Sequence, residues 1–124
     1  MYNSFELIQS KNTFKLQQYA HAIYIQSEHL ENSVVAEIGN CGLEFTNELV
    51  EYHSQEELEY QIIALERFAF NVAKFTALLP HMPKDLVLFP PVEEMSRWSN
   101  NFYYALQHEY ARKKSQYRNL RKFD

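Results

Sequence analysis

The chain has 124 residues, of which 46% are hydrophobic and 23% charged, and its formal net charge is −4. This length predicts a single domain, residues 1–124, and the apolar content argues against disorder over most of the chain. The only cysteine, Cys41, excludes an internal disulfide and is typical of a reducing compartment.

Glycine and proline are scarce in the first two thirds of the sequence. The two glycines are Gly39 and Gly42, and all four prolines lie within residues 80–91. Sheet proteins need frequent turns built from these residues, so their scarcity predicts a few long helices. The predicted fold is all-α, a small antiparallel bundle of about four helices. The predicted helices cover residues 13–30, 33–53, 55–79 and 91–120, with one long proline-rich connection at residues 80–91.

The first predicted helix has an alternative assignment as a strand over part of its length. Apolar residues recur at helical spacing as far as Leu30, after a cap at Asn12 or Thr13. The piece at residues 19–25 also suits a strand, because Tyr24 and Ile25 favour extended backbone. The continued spacing and the absence of a second strand candidate nearby favour the helix.

The second predicted helix begins at Asn32 or Ser33 and contains both glycines. Each glycine costs a helix up to ~1 kcal/mol relative to alanine, so we expect either a close helix contact or a kink or break there. Its apolar positions recur every three or four residues and predict one buried stripe. The stripe is Val34, Ile38, Cys41, Phe45, Leu49 and Tyr52.

The third predicted helix is the most apolar. Ser54 and Glu57 have the spacing of a capping box, and Pro80 ends the helix. Besides its main stripe it carries Ile63 and Phe70, so we expect neighbours to cover it from more than one side.

The connection and the last helix follow. Residues 86–89 are too apolar to be left in water, and we expect them to plug one end of the bundle. In the last helix Lys113 falls on the buried line, which predicts that core packing ends near residue 110. Residues 112–124 would then project as a basic tail.

The signatures of catalysis are missing from the sequence. There is no Glu-x-x-His, the five histidines lack metal-ligand spacing, and two glycines cannot form a phosphate loop. Cys41 lies on the apolar stripe, where a cysteine is usually a small core residue. We therefore expect no enzyme, no cofactor and no metal. Without a leader-like start or a membrane-length apolar run, we expect a cytoplasmic protein.

Charge is distributed unevenly, and this is the main functional hint. Residues 16–66 contain ten glutamates and no lysine or arginine. Four of these glutamates fall within about 60° of one another on the second helix. This acidic row consists of Glu37, Glu44, Glu48 and Glu51.

The acidic row has three interpretations. It is either a solvated face or a docking surface for a protein with a basic surface. In a third, the basic end of the last helix pairs with the row, within one chain or in a homodimer. The function we favour is a non-enzymatic macromolecular binding protein of the inhibitor, immunity or adaptor type.

The basic C-terminal end supports the alternative function of a nucleic-acid-binding subunit. Cations neutralise phosphates and tyrosines stack on bases, although cations also simply offset the dipole at a helix C-terminus. The candidate contacts are Arg112, Lys113, Lys114, Tyr117, Arg118, Arg121 and Lys122.

Overall fold

The computed structural model describes residues 10–27, 32–84 and 86–121. Within these residues the chain forms four α-helices and no strand, which confirms the all-α prediction and excludes the strand at residues 19–25. The helices are α1 (Ser10–Ser27), α2 (Ser33–Ser54), α3 (Leu58–Leu78) and α4 (Val92–Arg121), with a 3₁₀ turn at Leu79–His81 after α3.

Two predicted helix starts differ from the observed ones. Helix α1 begins at Ser10, so Asn12 and Thr13 lie inside it and do not cap it; the predicted end at residues 28–30 lies outside the described residues. The capping box at Ser54 and Glu57 is also wrong. Helix α2 continues through Ser54, so the Ser54 hydroxyl donates to the Glu51 backbone carbonyl of its own helix at 2.8 Å. The Glu57 side chain makes no cap hydrogen bond.

The start of α2 is capped as predicted. The Asn32 side chain accepts hydrogen bonds from the backbone N–H of Val34 at 2.8 Å and of Val35 at 3.3 Å. Helix α2 then runs through both glycines without interruption, so neither glycine breaks the helix.

The helices pack in chain order, α1 on α2, α2 on α3 and α3 on α4. Helix α3 is therefore covered by two neighbours, as its apolar width predicted. The centre of the core is aromatic, because Phe45 lies 5.5 Å from Phe75 and 6.5 Å from Phe68, and Phe68 lies 5.5 Å from Phe102, between ring centroids.

Some apolar residues expected in the core are exposed. Phe70 is 73% exposed and Ile63 41%, so no other described residue covers the outer side of α3. In the connection, Leu88 is buried and Leu86 partly buried, but Val87 is 90% exposed and the Phe89 ring is also exposed. Only every second side chain of this segment, Leu86 and Leu88, packs against the bundle as expected.

Candidate functional site

Helices α1 and α2 approach each other through small side chains. A Cβ placed on Gly42 would lie 2.3 Å from the Cβ of Ala20, a distance that two carbon atoms cannot share. The glycine is therefore required for this contact, which confirms the close approach expected from the sequence. At Gly39 the same added atom would meet only a Tyr24 ring carbon at 3.9 Å, an ordinary contact.

The outer side of this helix pair is open. It forms a groove of about 680 Å³ between α1 and α2. The aromatic ring of Phe14 is 56% exposed at one wall, and Leu43 is 67% exposed at the other. This uncharged groove is lined by Phe14, Gln17, Gln18, Ala20, His21 and Tyr24 of α1 and by Ala36, Gly39, Asn40, Gly42 and Leu43 of α2.

None of the eleven groove residues is aspartate, glutamate, lysine or arginine, in a chain that is 23% charged. Depletion of charge together with exposed aromatic side chains is the compositional mark of a protein-binding surface. This site was not predicted from the sequence, because the predicted sites are clusters of charged residues and the groove contains none. The available signal was a run of uncharged residues on the outer side of α2, such as Asn40 and Leu43, where a solvated helix normally carries lysine or glutamate.

The acidic row lies roughly a third of a turn around α2 from the groove, on the side of the helix toward α3. Helix α3 supplies partners to three of its four members. Lys74 pairs with Glu37 at 2.7 Å and Arg67 with Glu51 at 3.3 Å, both at exposed positions. The repulsion expected within α2 is therefore partly relieved by the neighbouring helix. Glu44 is exposed, and no described residue forms an ion pair or side-chain hydrogen bond with it.

Glu48 is the most perturbed member of the acidic row. It is half-buried between α2 and α3, where it accepts a hydrogen bond from the Asn71 amide at 2.7 Å. Burial, aided by the negative charges of Glu44 and Glu51, raises the pKa of Glu48 to about 7, although the Asn71 hydrogen bond opposes this. The raised pKa of Glu48 thus comes mainly from its burial between α2 and α3, with a smaller contribution from the neighbouring carboxylates.

The outer face of α2 therefore has two different edges. The edge beside α1 is the uncharged groove, and the edge beside α3 is the acidic row. The two edges are separated by the width of one helix, about 10 Å. A partner helix laid along α2 would contact apolar side chains on one side and carboxylates on the other.

The predicted nucleic-acid contacts divide into two groups. Arg112 and Lys113 are part of the bundle. The Glu109 side chain is buried, and Arg112 binds both of its carboxylate oxygens, with the Nε contact at 3.2 Å. The Tyr52 hydroxyl donates to the same carboxylate at 3.4 Å, and burial followed by the Glu109 charge raises the pKa of Tyr52 to about 12. Lys113 donates to Gln61 Oε1 at 2.9 Å.

The second group lies on residues 114–121, which we call the overhang. At 1.5 Å per residue these eight residues extend α4 by about 12 Å beyond Lys113. Lys114 lies over the Tyr110 ring, Arg121 donates to the Tyr117 hydroxyl, and no described residue pairs with Arg118. Lys122 lies outside the described residues.

The remaining chemistry is sparse. Burial raises the pKa of the Cys41 thiol, which is 2% exposed, so the thiol stays protonated at neutral pH. Within the described part of the chain no three His, Cys, Asp or Glu side chains meet as a metal would require, and no helix is both long and apolar enough to cross a bilayer.

No family model, curated protein or solved structure matches this chain.

Proposed function

We propose that this chain is a non-enzymatic binding protein whose outer α2 face docks an amphipathic, basic helix of a partner protein. The observation that carries the proposal is the uncharged groove beside the acidic row. An apolar stripe on the partner would fill the groove between Phe14 and Leu43, in the manner of helix-in-groove recognition. Basic residues beside that stripe would meet Glu44 and Glu48. The proposal keeps the basic partner expected from the sequence and adds an apolar anchor to it.

Charge and apolar contact have separate roles in this mode of binding. Burial of Phe14 and Leu43 supplies affinity, at ~25 cal/mol for each Å² removed from water. The carboxylates mainly steer encounter and reject acidic partners. Glu44 is the residue most available for this role, since Glu37 and Glu51 already pair with α3.

The test uses fluorescently labelled helical peptides of designed sequence. One has a leucine stripe flanked by lysines, the second has the same stripe flanked by glutamates, and the third contains the lysines and leucines in scrambled order. We expect fluorescence anisotropy to detect binding of the first peptide only. The double substitution of Phe14→Ala and Leu43→Gln should weaken that binding at least tenfold, since it removes both walls of the groove.

A matched control is Phe70→Ala, because Phe70 is exposed but lies on α3 away from the groove. This control should bind the basic peptide as the native chain does, and circular dichroism should show every variant folded. Equal binding by the groove variant, or equal binding of the glutamate-flanked peptide, would refute the proposal.

The overhang supports a second candidate, the nucleic-acid-binding subunit. Lys114, Arg118 and Arg121 lie within about 60° on this exposed end of α4, next to Tyr117. The test is retention of single-stranded RNA or DNA at low salt, by the full chain and by a chain that ends at Lys113. This shorter chain keeps Arg112, which binds the buried Glu109 carboxylate. Retention that depends on the overhang and falls steeply with salt would support this function.

A further inference from the structure

The overhang has the chemistry that the outer face of α2 is proposed to bind. Its three described cations form one stripe along the helix. Tyr117 and Leu120 form a second stripe beside them, and Leu120 is 62% exposed. The segment at residues 110–121 contains five cations and no acid. It is therefore a short amphipathic, basic helix that this chain itself carries.

The overhang cannot reach the groove of its own chain. It continues α4, which packs on α3 and contacts α1 at Lys15 and Trp98, about 24 Å before the overhang begins at Lys114. The groove lies on the outer side of α1 and α2. At about 12 Å the overhang also matches the stretch of α2 from Glu44 to Glu51, which spans about 10 Å. This stretch lies beside Leu43 at one edge of the groove.

We propose that the overhang of one copy docks on the outer face of α2 in a second copy, so that two chains exchange equivalent contacts in a symmetric dimer. Leu120 and Tyr117 would cover the Phe14 end of the groove, and Arg118 would pair with Glu44. Arg118 is the exposed cation of the overhang, and Glu44 the exposed carboxylate of the acidic row, with which no described residue pairs. An exchange of this kind closes on itself and stops at two chains.

This inference rests on the proposed function, because it uses the same groove with a particular occupant. It also has a regulatory consequence, since a partner helix and the second copy would compete for one surface. The dimer should weaken with salt, because the Arg118 contact is exposed and is screened at about 0.5 M. Mass measured by light scattering, at low and at high salt, is therefore the first experiment.

Charge reversal then tests which surfaces meet. The overhang variant carries Arg118→Glu and Arg121→Glu, and the acidic-row variant carries Glu44→Lys. Each alone should be monomeric at a concentration where the native chain is dimeric. An equal mixture should regain dimers, because the acidic overhang of one variant then meets the lysine of the other. Arg97→Glu and Glu66→Lys, both exposed and outside these surfaces, serve as controls that should leave the dimer intact.

Three results would overturn the inference. They are a native chain that is monomeric at low salt, an overhang variant that dimerises as well as the native chain, and loss of the dimer only when residues 1–9 are removed. The last would identify the N-terminal segment as the occupant. A monomeric chain that still binds the lysine-flanked peptide would leave the proposed function standing, so the two failures can be distinguished.

Discussion

The two helical hairpins of this chain are held together by opposite means. Helices α3 and α4 interlock through large rings, with Phe68 and Phe102 both completely buried between them. Helices α1 and α2 meet through Gly42 and Ala20, which bring the two backbones close. The aromatic side chain nearby, Phe14, is then left outside the contact. A hairpin closed by small residues thus stays open on its outer side, and that side is where the binding chemistry lies.

The largest expected difference between the hairpins is in the cost of losing a ring. Phe102→Ala should lower the free energy of unfolding by about 3–5 kcal/mol, because it leaves a cavity in a closed core. Phe14→Ala should cost less than about 1 kcal/mol, since more than half of that side chain already faces water. Urea denaturation followed by circular dichroism measures both. A similar loss in the two variants would mean that Phe14 belongs to the core and that the groove is not a free surface.

The basic end of α4 gives the next comparison. Arg112→Ala should destabilise the chain by about 2 kcal/mol, because it leaves the Glu109 carboxylate buried without its charge partner. This loss of stability is smaller than that expected for a fully buried ion pair, because the Arg112 side chain is 53% exposed. Arg118→Ala removes an equal charge from the overhang and should change stability by less than about 0.5 kcal/mol. Thermal unfolding of both variants measures this difference in stability. Equal melting temperatures would show that Arg112 has no structural role.

The sequence was sufficient for the fold class, since five of the six positions in the predicted α2 stripe, from Ile38 to Tyr52, are buried, while Val34 is only partly buried. It did not reveal which other helix would approach each charge. Glu37 and Lys74 are 37 residues apart in the chain, and their pairing depends on the α2–α3 packing. Uncharged residues such as Asn40 and Leu43 indicate one wall of the groove, but the groove itself exists only where two helix faces lie side by side, so its second wall could not be predicted. Phe70 was misassigned since apolar spacing alone cannot show on which sides a helix is covered.

Glu48 provides a pH-dependent comparison between the acidic row and the rest of the surface. Its pKa rises from the ordinary 4.5 to about 7 on folding, so the folded chain holds this proton more tightly than the unfolded chain. The contribution of Glu48 to the free energy of unfolding is fully present below pH 4.5 and is lost as the pH rises through 7. Glu48→Gln keeps a side chain of the same shape beside the Asn71 amide but removes the negative charge. It should therefore raise stability above pH 7 by on the order of 1–2 kcal/mol and leave it almost unchanged at pH 4.

The control for Glu48 is Glu44→Gln, which removes an exposed carboxylate from the same row. It should change stability by only a few tenths of a kcal/mol, through weaker repulsion of its neighbours. Denaturation midpoints measured at several pH values would show the difference. Identical pH profiles for Glu48→Gln and the native chain would contradict the raised pKa of this carboxyl.

The smallest effects test the glycine contact itself, and the two glycines are expected to respond with opposite signs. Gly42→Ala forces a methyl group against Ala20, and the overpacking should outweigh the gain in helix propensity, for a net loss of about 1 kcal/mol. Gly39→Ala makes only an ordinary contact with the Tyr24 ring and should stabilise the chain by up to ~1 kcal/mol, because alanine is the better helix former. Both variants need only urea denaturation, with the native chain as the reference. Stabilisation by both would mean that α1 and α2 can move apart at low cost, and then the groove between them would have no fixed width for a partner helix to recognise.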